Sequence, residues 1–119
     1  MQFRLVAGLA AGLCVAAGIG FPLAVTGQSD DDSWLAGGDP ENGKVVFASN
    51  GCGWCHEGSG RKPGRGPQLA DSKRTDGFLA ERIMNGKPGR MPAFGGNFDE
   101  QQLKDLVAFI RSLKPEGSS

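Results

Sequence analysis

Five consecutive residues, Cys52-Gly53-Trp54-Cys55-His56, carry the clearest chemistry in this sequence. Two thiols separated by two residues and followed directly by an imidazole form the spacing C-x-x-C-H, which is typical of c-type haem attachment. In such a site both thiols bond covalently to the haem vinyl groups, and the adjoining imidazole ligates the iron from one side. The spacing therefore predicts one haem c, bound through Cys52 and Cys55, with His56 as an iron ligand.

Other chemistries use similar residues. A thioredoxin-like redox pair also has C-x-x-C, but it requires a strand–helix–strand unit, and the sequence has no alternating or β-branched runs that would supply the strands. A zinc site needs four ligands, usually as two separated pairs. This sequence provides only Cys52, Cys55 and one adjoining histidine. A chance match would leave an export segment, a downstream Met-Pro and a terminal amphipathic helix as coincidences. Haem attachment is therefore the favoured interpretation.

The composition is that of one small globular domain. The 119 residues are 39% hydrophobic and 22% charged, and 20 Gly and 7 Pro predict a large share of loop. The formal net charge is zero, so the sequence gives no sign of the basic surface that nucleic-acid binding requires. A domain of about 90 residues has a marginal core by itself, and we expect a buried haem to contribute to folding.

Residues 1–27 have the pattern of a secretory signal. A short positive start containing Arg4 is followed by 21 uncharged residues (5–25), and residues 25–27 form an acceptable cleavage site. Cleavage would remove Arg4 and leave 13 − 1 = 12 Lys+Arg against 13 Asp+Glu, a formal charge of −1. An uncleaved membrane anchor is the alternative, because 21 uncharged residues also suffice to span a bilayer. Cys14 lies in this leader, so no disulfide framework is expected.

Residues 28–38 are acidic and rich in small residues, and they are predicted to be a flexible lead-in. Docking of Trp34 and Leu35 onto the domain is the alternative. A haem-binding domain is expected over 39–115, with a tail at 116–119.

Three helices are predicted around the motif, each with an N-cap residue and a stop signal: Asp39 to about Ser49, Thr75 to about Asn85, and Asp99 to about Leu113. Gly43 would weaken the first helix, which suggests that another backbone approaches it closely. In the third helix Gln102 completes a capping box with Asp99. Segments 57–66 and 87–96 are too rich in Gly and Pro for regular structure.

A second iron ligand is predicted in the later of these loops. Outside the leader the methionines are Met84 and Met91, and His56 is the only histidine, which excludes two histidine ligands from one chain. Met84 falls on the middle helix, where a methionine is more often core than ligand. Met91 lies in a Gly/Pro loop that can bring its sulfur over the iron. Lys87 or water are the remaining substitutes.

Taken in order, these features resemble a class I cytochrome c over roughly residues 39–113. The resemblance implies an all-α fold in which short helices wrap one covalently bound haem and the N- and C-terminal helices cross at Gly43, Phe47 and Phe109. It also implies that the His56 Nδ1–H bonds a backbone carbonyl of the following loop. A departure from the family is the absence of tyrosine, so hydrogen bonds to the haem propionates must come from other donors, such as Trp54, Arg or the backbone.

The cofactor-binding residues implied by the resemblance are Cys52, Cys55, His56, Pro67, Leu69 and Met91. His56 and Met91 are the expected iron ligands. Pro67 matches the loop proline that packs beside the ligating histidine, and Leu69 follows it in the same Gly-Pro-x-Leu loop.

The function implied is one-electron transfer in the periplasm by a monomeric carrier that performs no bond chemistry itself. Three segments resemble the sequences of small cytochromes that accept electrons from quinoprotein alcohol dehydrogenases. They are the residues around the motif, the Arg61 to Leu69 loop and Met91-Pro-Ala-Phe-Gly-Gly. A dehydrogenase is therefore the expected donor, and an oxidase or another cytochrome the acceptor. The alternatives are a membrane-tethered haem subunit of a larger redox complex and a ligand-sensing haem domain. Five bases flank the haem segments and are expected to orient a partner: Arg61, Lys62, Arg65, Lys87 and Arg90.

Overall fold

The computed structural model describes residues 31–118. Three α-helices, α1 (Pro40–Ser49), α2 (Asp76–Asn85) and α3 (Glu100–Ser112), are joined by loops that contain 3-10 helices at Cys52–Trp54 and Gly58–Gly60, and a further 3-10 helix, Asp32–Leu35, precedes α1. Within residues 31–118 there is no strand beyond one antiparallel bridge between Lys87 and Met91. The predicted all-α class is confirmed.

The helices begin at hydrogen-bonded caps. The side chain of Asp39 accepts a bond from a first-turn N–H of α1 at 2.9 Å, and Thr75 Oγ1 accepts one from Phe78 N–H at 3.1 Å. At α3, Asp99 and Gln102 form a reciprocal capping box with bonds of 2.8 and 3.0 Å. Since these bonds satisfy N–H groups that have no partner inside the helix, the cap residues fix where each helix starts.

α1 and α3 cross at Gly43. A Cβ atom on Gly43 would lie 2.5 Å from the carbonyl carbon of Asp105 and 2.7 Å from Cβ of Phe109, so only glycine allows this approach. The rings of Phe47 and Phe109 pack at the same crossing, with centroids 5.3 Å apart and planes tilted by 59°, a favourable arrangement for aromatic rings. The crossing predicted from the resemblance is therefore present. The core around it comprises Leu35, Val46, Phe47, Leu79, Ala80, Ile83, Leu103, Leu106, Val107, Phe109 and Ile110.

The described part of the lead-in differs from the flexible segment that its composition predicts. Asp32–Leu35 forms a 3-10 helix whose first turn is capped by Asp31, and Leu35 is 5% exposed in the core. Gly38 lies directly against the backbone of Lys104 in α3. Burial of one leucine and this close packing outweigh the acidic composition, while Trp34 stays partly exposed.

The predicted signal segment, Cys14 and the first residues of the lead-in lie outside the described residues. Among helices of the described part, none has the length and apolar character needed to cross a membrane.

Candidate haem site

The C-x-x-C-H motif forms a tight turn at the end of α1. The backbone N–H groups of Cys55 and His56 both donate to the Cys52 carbonyl, at 3.3 and 3.0 Å, so all three side chains leave a single turn. Both cysteines are partly buried and unpaired, and burial raises the pKa of the Cys52 thiol. A thioredoxin-like redox pair requires a strand–helix–strand unit, and residues 31–118 form no strand that could supply one.

His56 is 7% exposed and is oriented by one hydrogen bond. Its Nδ1 lies 2.8 Å from the carbonyl oxygen of Pro67. Because a carbonyl can only accept, Nδ1 must carry the proton, and in the neutral ring the lone pair is then on Nε2. This is the arrangement in which an imidazole binds a metal, with the second nitrogen fixing tautomer and orientation.

Gly66 supplies the space for the ring. A Cβ atom on Gly66 would lie 2.6 Å from Cε1, 2.8 Å from Nδ1 and 3.1 Å from Nε2 of His56. The Gly66 N–H also donates to the Cys55 carbonyl at 2.8 Å. The loop that carries Pro67 therefore packs on the face of the histidine ring and is tied back to the motif itself.

Leu69 lies at the end of the same loop and packs, partly buried, against the core. Its backbone N–H and that of Ala70 both donate to the Gly60 carbonyl at 2.9 Å. Gly60 in turn donates to the carbonyls of His56 and Glu57, at 3.0 and 3.1 Å. Through these bonds, Gly60 connects His56 at the start of the loop to Leu69 at its end.

Met91 closes a short turn after α2. Lys87 and Met91 exchange two backbone hydrogen bonds of 2.8 and 2.9 Å, and Met91 packs, partly buried, against the core. The next residues are tied to the end of α2, since Phe94 N–H donates to the Ile83 carbonyl at 3.0 Å. The methionine side chain is thus presented from a constrained turn.

Met84 is not the core residue that its place on a helix predicted. It is 40% exposed. The buried face of α2 is formed by Leu79, Ala80 and Ile83, and the residue after Ile83 is rotated away from that face by the helical period.

These residues fit haem c as a donor set. The described residues include two unpaired thiols, one imidazole nitrogen with a free lone pair and one partly buried thioether, which are the groups that attach and ligate haem c. Within residues 31–118, no group of three or more His, Cys, Asp or Glu residues is placed to hold a metal ion. Trp54 is 87% exposed; a bond from it to a propionate stays a prediction.

Sequence reasoning missed the residues that hold the loop together. Gly60 has a φ of +85° and no space for a side chain, because a Cβ atom would lie 2.9 Å from Leu113 Cδ1 and 3.2 Å from Leu69 Cδ1.

Asp105 was also missed, although it is 2% exposed. A charged residue between Leu103 and Leu106 on the apolar third helix is the one signal that could have revealed it.

The helices, the motif turn and the methionine loop define a class I c-type cytochrome. Residues 38–110 match the family "Cytochrome C oxidase, cbb3-type, subunit III", and the chain belongs to this family. Its members bind one covalent haem c through cysteines, and haem c is the cofactor of this chain. Electron transfer with redox partners is the function of cytochromes c to which the chain is similar.

Relatives of two kinds are similar to the chain. The cbb3-type oxidase subunit CcoP of Helicobacter pylori is 39% identical over 82 residues, which are 63% of this chain and 28% of CcoP. Cytochrome c6 of Pyropia tenera is 31% identical over 85 residues, 66% of this chain and 98% of that protein. The chain thus spans about 28% of the length of the oxidase subunit.

Solved structures of two cytochromes are also similar to the chain. Cytochrome c6 from the diatom Phaeodactylum tricornutum superposes with a TM-score of 0.51 at 28% identity, covering 61% of this chain and 91% of that one. Cytochrome cL from Hyphomicrobium denitrificans gives 0.56 at 26% identity, covering 71% and 50%. The fold is that of class I cytochromes c.

Proposed function

We propose that this chain is a periplasmic one-electron carrier in which Cys52 and Cys55 hold the haem and His56 and Met91 ligate its iron. When bound, haem c supplies a reversible Fe(II)/Fe(III) couple. The hydrogen bond from His56 Nδ1–H to the Pro67 carbonyl carries this proposal, because it leaves Nε2 as the free donor of a nearly buried ring.

Each residue has a separate task in this function. His56 donates through Nε2, and the Pro67 carbonyl increases the basicity of its ring. The thioether of Met91 favours Fe(II) and so raises the reduction potential. If His56 and Met91 both ligated the iron, no iron position would be left for a substrate, which supports transfer of electrons over bond chemistry or ligand sensing.

We infer that a dehydrogenase, of the quinoprotein alcohol class, is the donor and that an oxidase or another cytochrome is the acceptor. This donor is supported by the resemblance of the motif and loop sequences to those of small cytochromes that serve such dehydrogenases. The likeness to two cytochromes cL, one of them from a marine methylotrophic bacterium, is compatible with it.

A haem subunit tethered to a larger redox complex is the second candidate. It is favoured by the family match to an oxidase subunit, whereas coverage of almost the whole of cytochrome c6 favours the carrier. Intact-mass measurement of the haem-containing protein and its distribution between periplasmic and membrane fractions separate the two. A species retaining Met1 that is extracted only with detergent would overturn the free carrier.

The ligand assignment is tested by replacing each methionine in turn. We expect Met91→Ala to abolish the sulfur-to-ferric-haem charge-transfer band in the red and to lower the reduction potential, because the thioether is lost. Met84→Leu is the matched control and is expected to preserve both, since Met84 is 40% exposed. Loss of the band in Met84→Leu together with its retention in Met91→Ala would refute the assignment.

A further inference from the structure

The chain that follows α3 folds back onto the loop that follows the C-x-x-C-H motif. The N–H of Glu116 donates to the Arg61 carbonyl at 3.1 Å, and Nε of Arg61 donates to the Lys114 carbonyl at 3.0 Å. Nζ of Lys62 lies 3.8 Å from a carboxylate oxygen of Glu116 in an exposed pair, which adds little. Residues 113–116, here called the C-terminal strap, are thus bonded to Arg61 twice, once with Arg61 as acceptor and once with Arg61 as donor.

The strap also supplies an apolar contact. The side chains of Leu113 and Leu69 both pack against Gly60, close to the position that a Cβ atom would occupy. Gly60 is the residue that bonds the His56 carbonyl through its N–H and the N–H groups of Leu69 and Ala70 through its carbonyl. The strap therefore packs on a residue that joins the beginning of the loop to its end.

Pro67 lies between the two anchored ends of this loop. Gly66 before it is bonded to Cys55, and Leu69 after it is bonded to Gly60. The position of the Pro67 carbonyl, and hence its 2.8 Å contact with His56 Nδ1, depends on both anchors. One of these anchors is completed only by residues about fifty positions further along the chain.

We propose that the C-terminal strap positions the ligating histidine, with Arg61 and Leu113 as positioning residues that act through Gly60 and the Pro67 carbonyl. This rests on the proposed role of His56 as iron ligand. The strap sets how firmly the Nδ1–H is held, and a firmly held Nδ1–H makes the ring a more basic donor that favours Fe(III). Releasing the strap therefore raises the reduction potential.

The test removes the two strap hydrogen bonds and leaves Leu113 in place, so that the interior is not opened to water. Arg61→Ala removes the side-chain donor, and Glu116→Pro removes the backbone N–H that bonds Arg61. The double variant and the single Arg61→Ala are prepared as ferrous holoprotein. Exchange of the His56 Nδ1 proton and of the Gly60, Leu69 and Ala70 amides is followed by NMR, and the reduction potential is measured.

Arg111→Ala is the matched control. Arg111 of α3 also clamps a loop, through bonds to Asp76 and to the carbonyls of Ser72 and Arg74, but that loop does not carry Pro67. Its replacement should lower the melting temperature while leaving Nδ1 exchange and the potential unchanged. It thus separates a general loss of stability from a loss of positioning.

In the double variant we expect Nδ1 exchange to be about tenfold faster, as for the loss of one hydrogen bond, together with faster Leu69 and Ala70 exchange and a raised potential. Unchanged Nδ1 exchange and potential would overturn the positioning role, even if the amides exchange faster. An equal effect in Arg111→Ala would overturn it as well. If wild-type His56 shows no haem-shifted Nδ1 proton, the ligand assignment itself fails, and the amide exchange then reports on the strap alone.

Discussion

At the scale of single residues, the space around His56 is set by a residue with no side chain. Gly66 lies so close to the ring that a Cβ atom would contact Cε1, Nδ1 and Nε2 at 2.6 to 3.1 Å. These distances are shorter than carbon–carbon or carbon–nitrogen packing permits. The ring orientation therefore depends on Gly66 as well as on the Pro67 carbonyl.

Gly66→Ala should consequently displace the histidine ring. We expect a loss of about 1–3 kcal/mol in the free energy of unfolding, as for an overpacked interior, and a changed ferric haem spectrum. Gly96→Ala is the control, because nothing lies within 4 Å of a Cβ atom there. Denaturant unfolding and absorption spectra of both holoproteins provide the measurement. Equal stability of the two variants would contradict the contact.

The chemistry-bearing residues could be predicted from the sequence because their signals are local. C-x-x-C-H is contiguous, and Met91 is distinguished by its Gly/Pro loop. Gly60 and the strap could not be predicted, because their importance comes from hydrogen bonds between segments far apart in sequence. The exposure of Met84 was missed because helical position alone does not say which face is buried.

At the scale of elements, the helix boundaries followed from capping signals, and the crossing of α1 and α3 followed from Gly43 and the resemblance. What composition did not predict is the polar connection at that crossing. Asp105 of α3 accepts hydrogen bonds from Asp39 N–H (2.7 Å), Asn42 Nδ2 (2.6 Å) and Gln101 Nε2 (2.8 Å). One buried carboxylate thereby holds the N-cap residue and the first turn of α1 against α3.

This carboxylate makes the crossing sensitive to acid. The Asp39 N–H, and after it the side-chain amides of Asn42 and Gln101, lower the pKa of Asp105 against the opposing effect of its burial. A pKa that is lower in the folded state contributes stability that is fully present above the unfolded value of about 4 and is lost as pH falls through the folded value. Acid should therefore loosen α1 from α3.

Asp105→Asn should destabilise the protein by about 1–3 kcal/mol at neutral pH, because an amide cannot accept hydrogen bonds from all three donors at once. The difference from wild type should shrink as pH falls from about 4 through the lower pKa of the folded state, because the wild-type carboxylate then becomes protonated as well. Glu100→Gln, at an exposed position of α3 paired with Lys104, is the control and should show neither effect. Urea unfolding across this pH range measures both. A difference that grows toward acid would contradict the predicted sign.

At the scale of the whole molecule, the protein is small for a self-sufficient core. The described helices have 10, 10 and 13 residues, and chain entropy for a domain of about 90 residues nearly cancels what such a core can gain. Cys52→Ala/Cys55→Ala, which cannot attach haem covalently, should therefore lose most of its far-UV helix signal. A compact variant that melts cooperatively would show that the polypeptide folds without this attachment.

Basic side chains lie beside the segments that carry the two proposed iron ligands. Of the five bases expected to orient a partner, Arg61 and Lys62 contact the C-terminal strap. Arg65, Lys87 and Arg90 are exposed and form no ion pair with any residue between 31 and 118. Arg65 adjoins Gly66, which packs on His56, while Lys87 and Arg90 belong to the turn closed by Met91. These three cations therefore lie beside the segments that carry the two proposed ligands.

A local positive field should make reaction with small redox ions depend on their charge. We expect the rate constant for oxidation of the ferrous protein by ferricyanide, an anion, to fall as salt rises, because screening acts over about 10 Å at 0.1 M. Arg65→Gln/Lys87→Gln/Arg90→Gln should flatten this dependence. Lys44→Gln/Lys73→Gln/Lys104→Gln removes the same charge from α1, the loop before α2 and α3, and should leave it nearly intact. Stopped-flow measurement decides: equal flattening by both triple variants would mean that net charge, and not the three bases beside the ligand segments, governs the encounter.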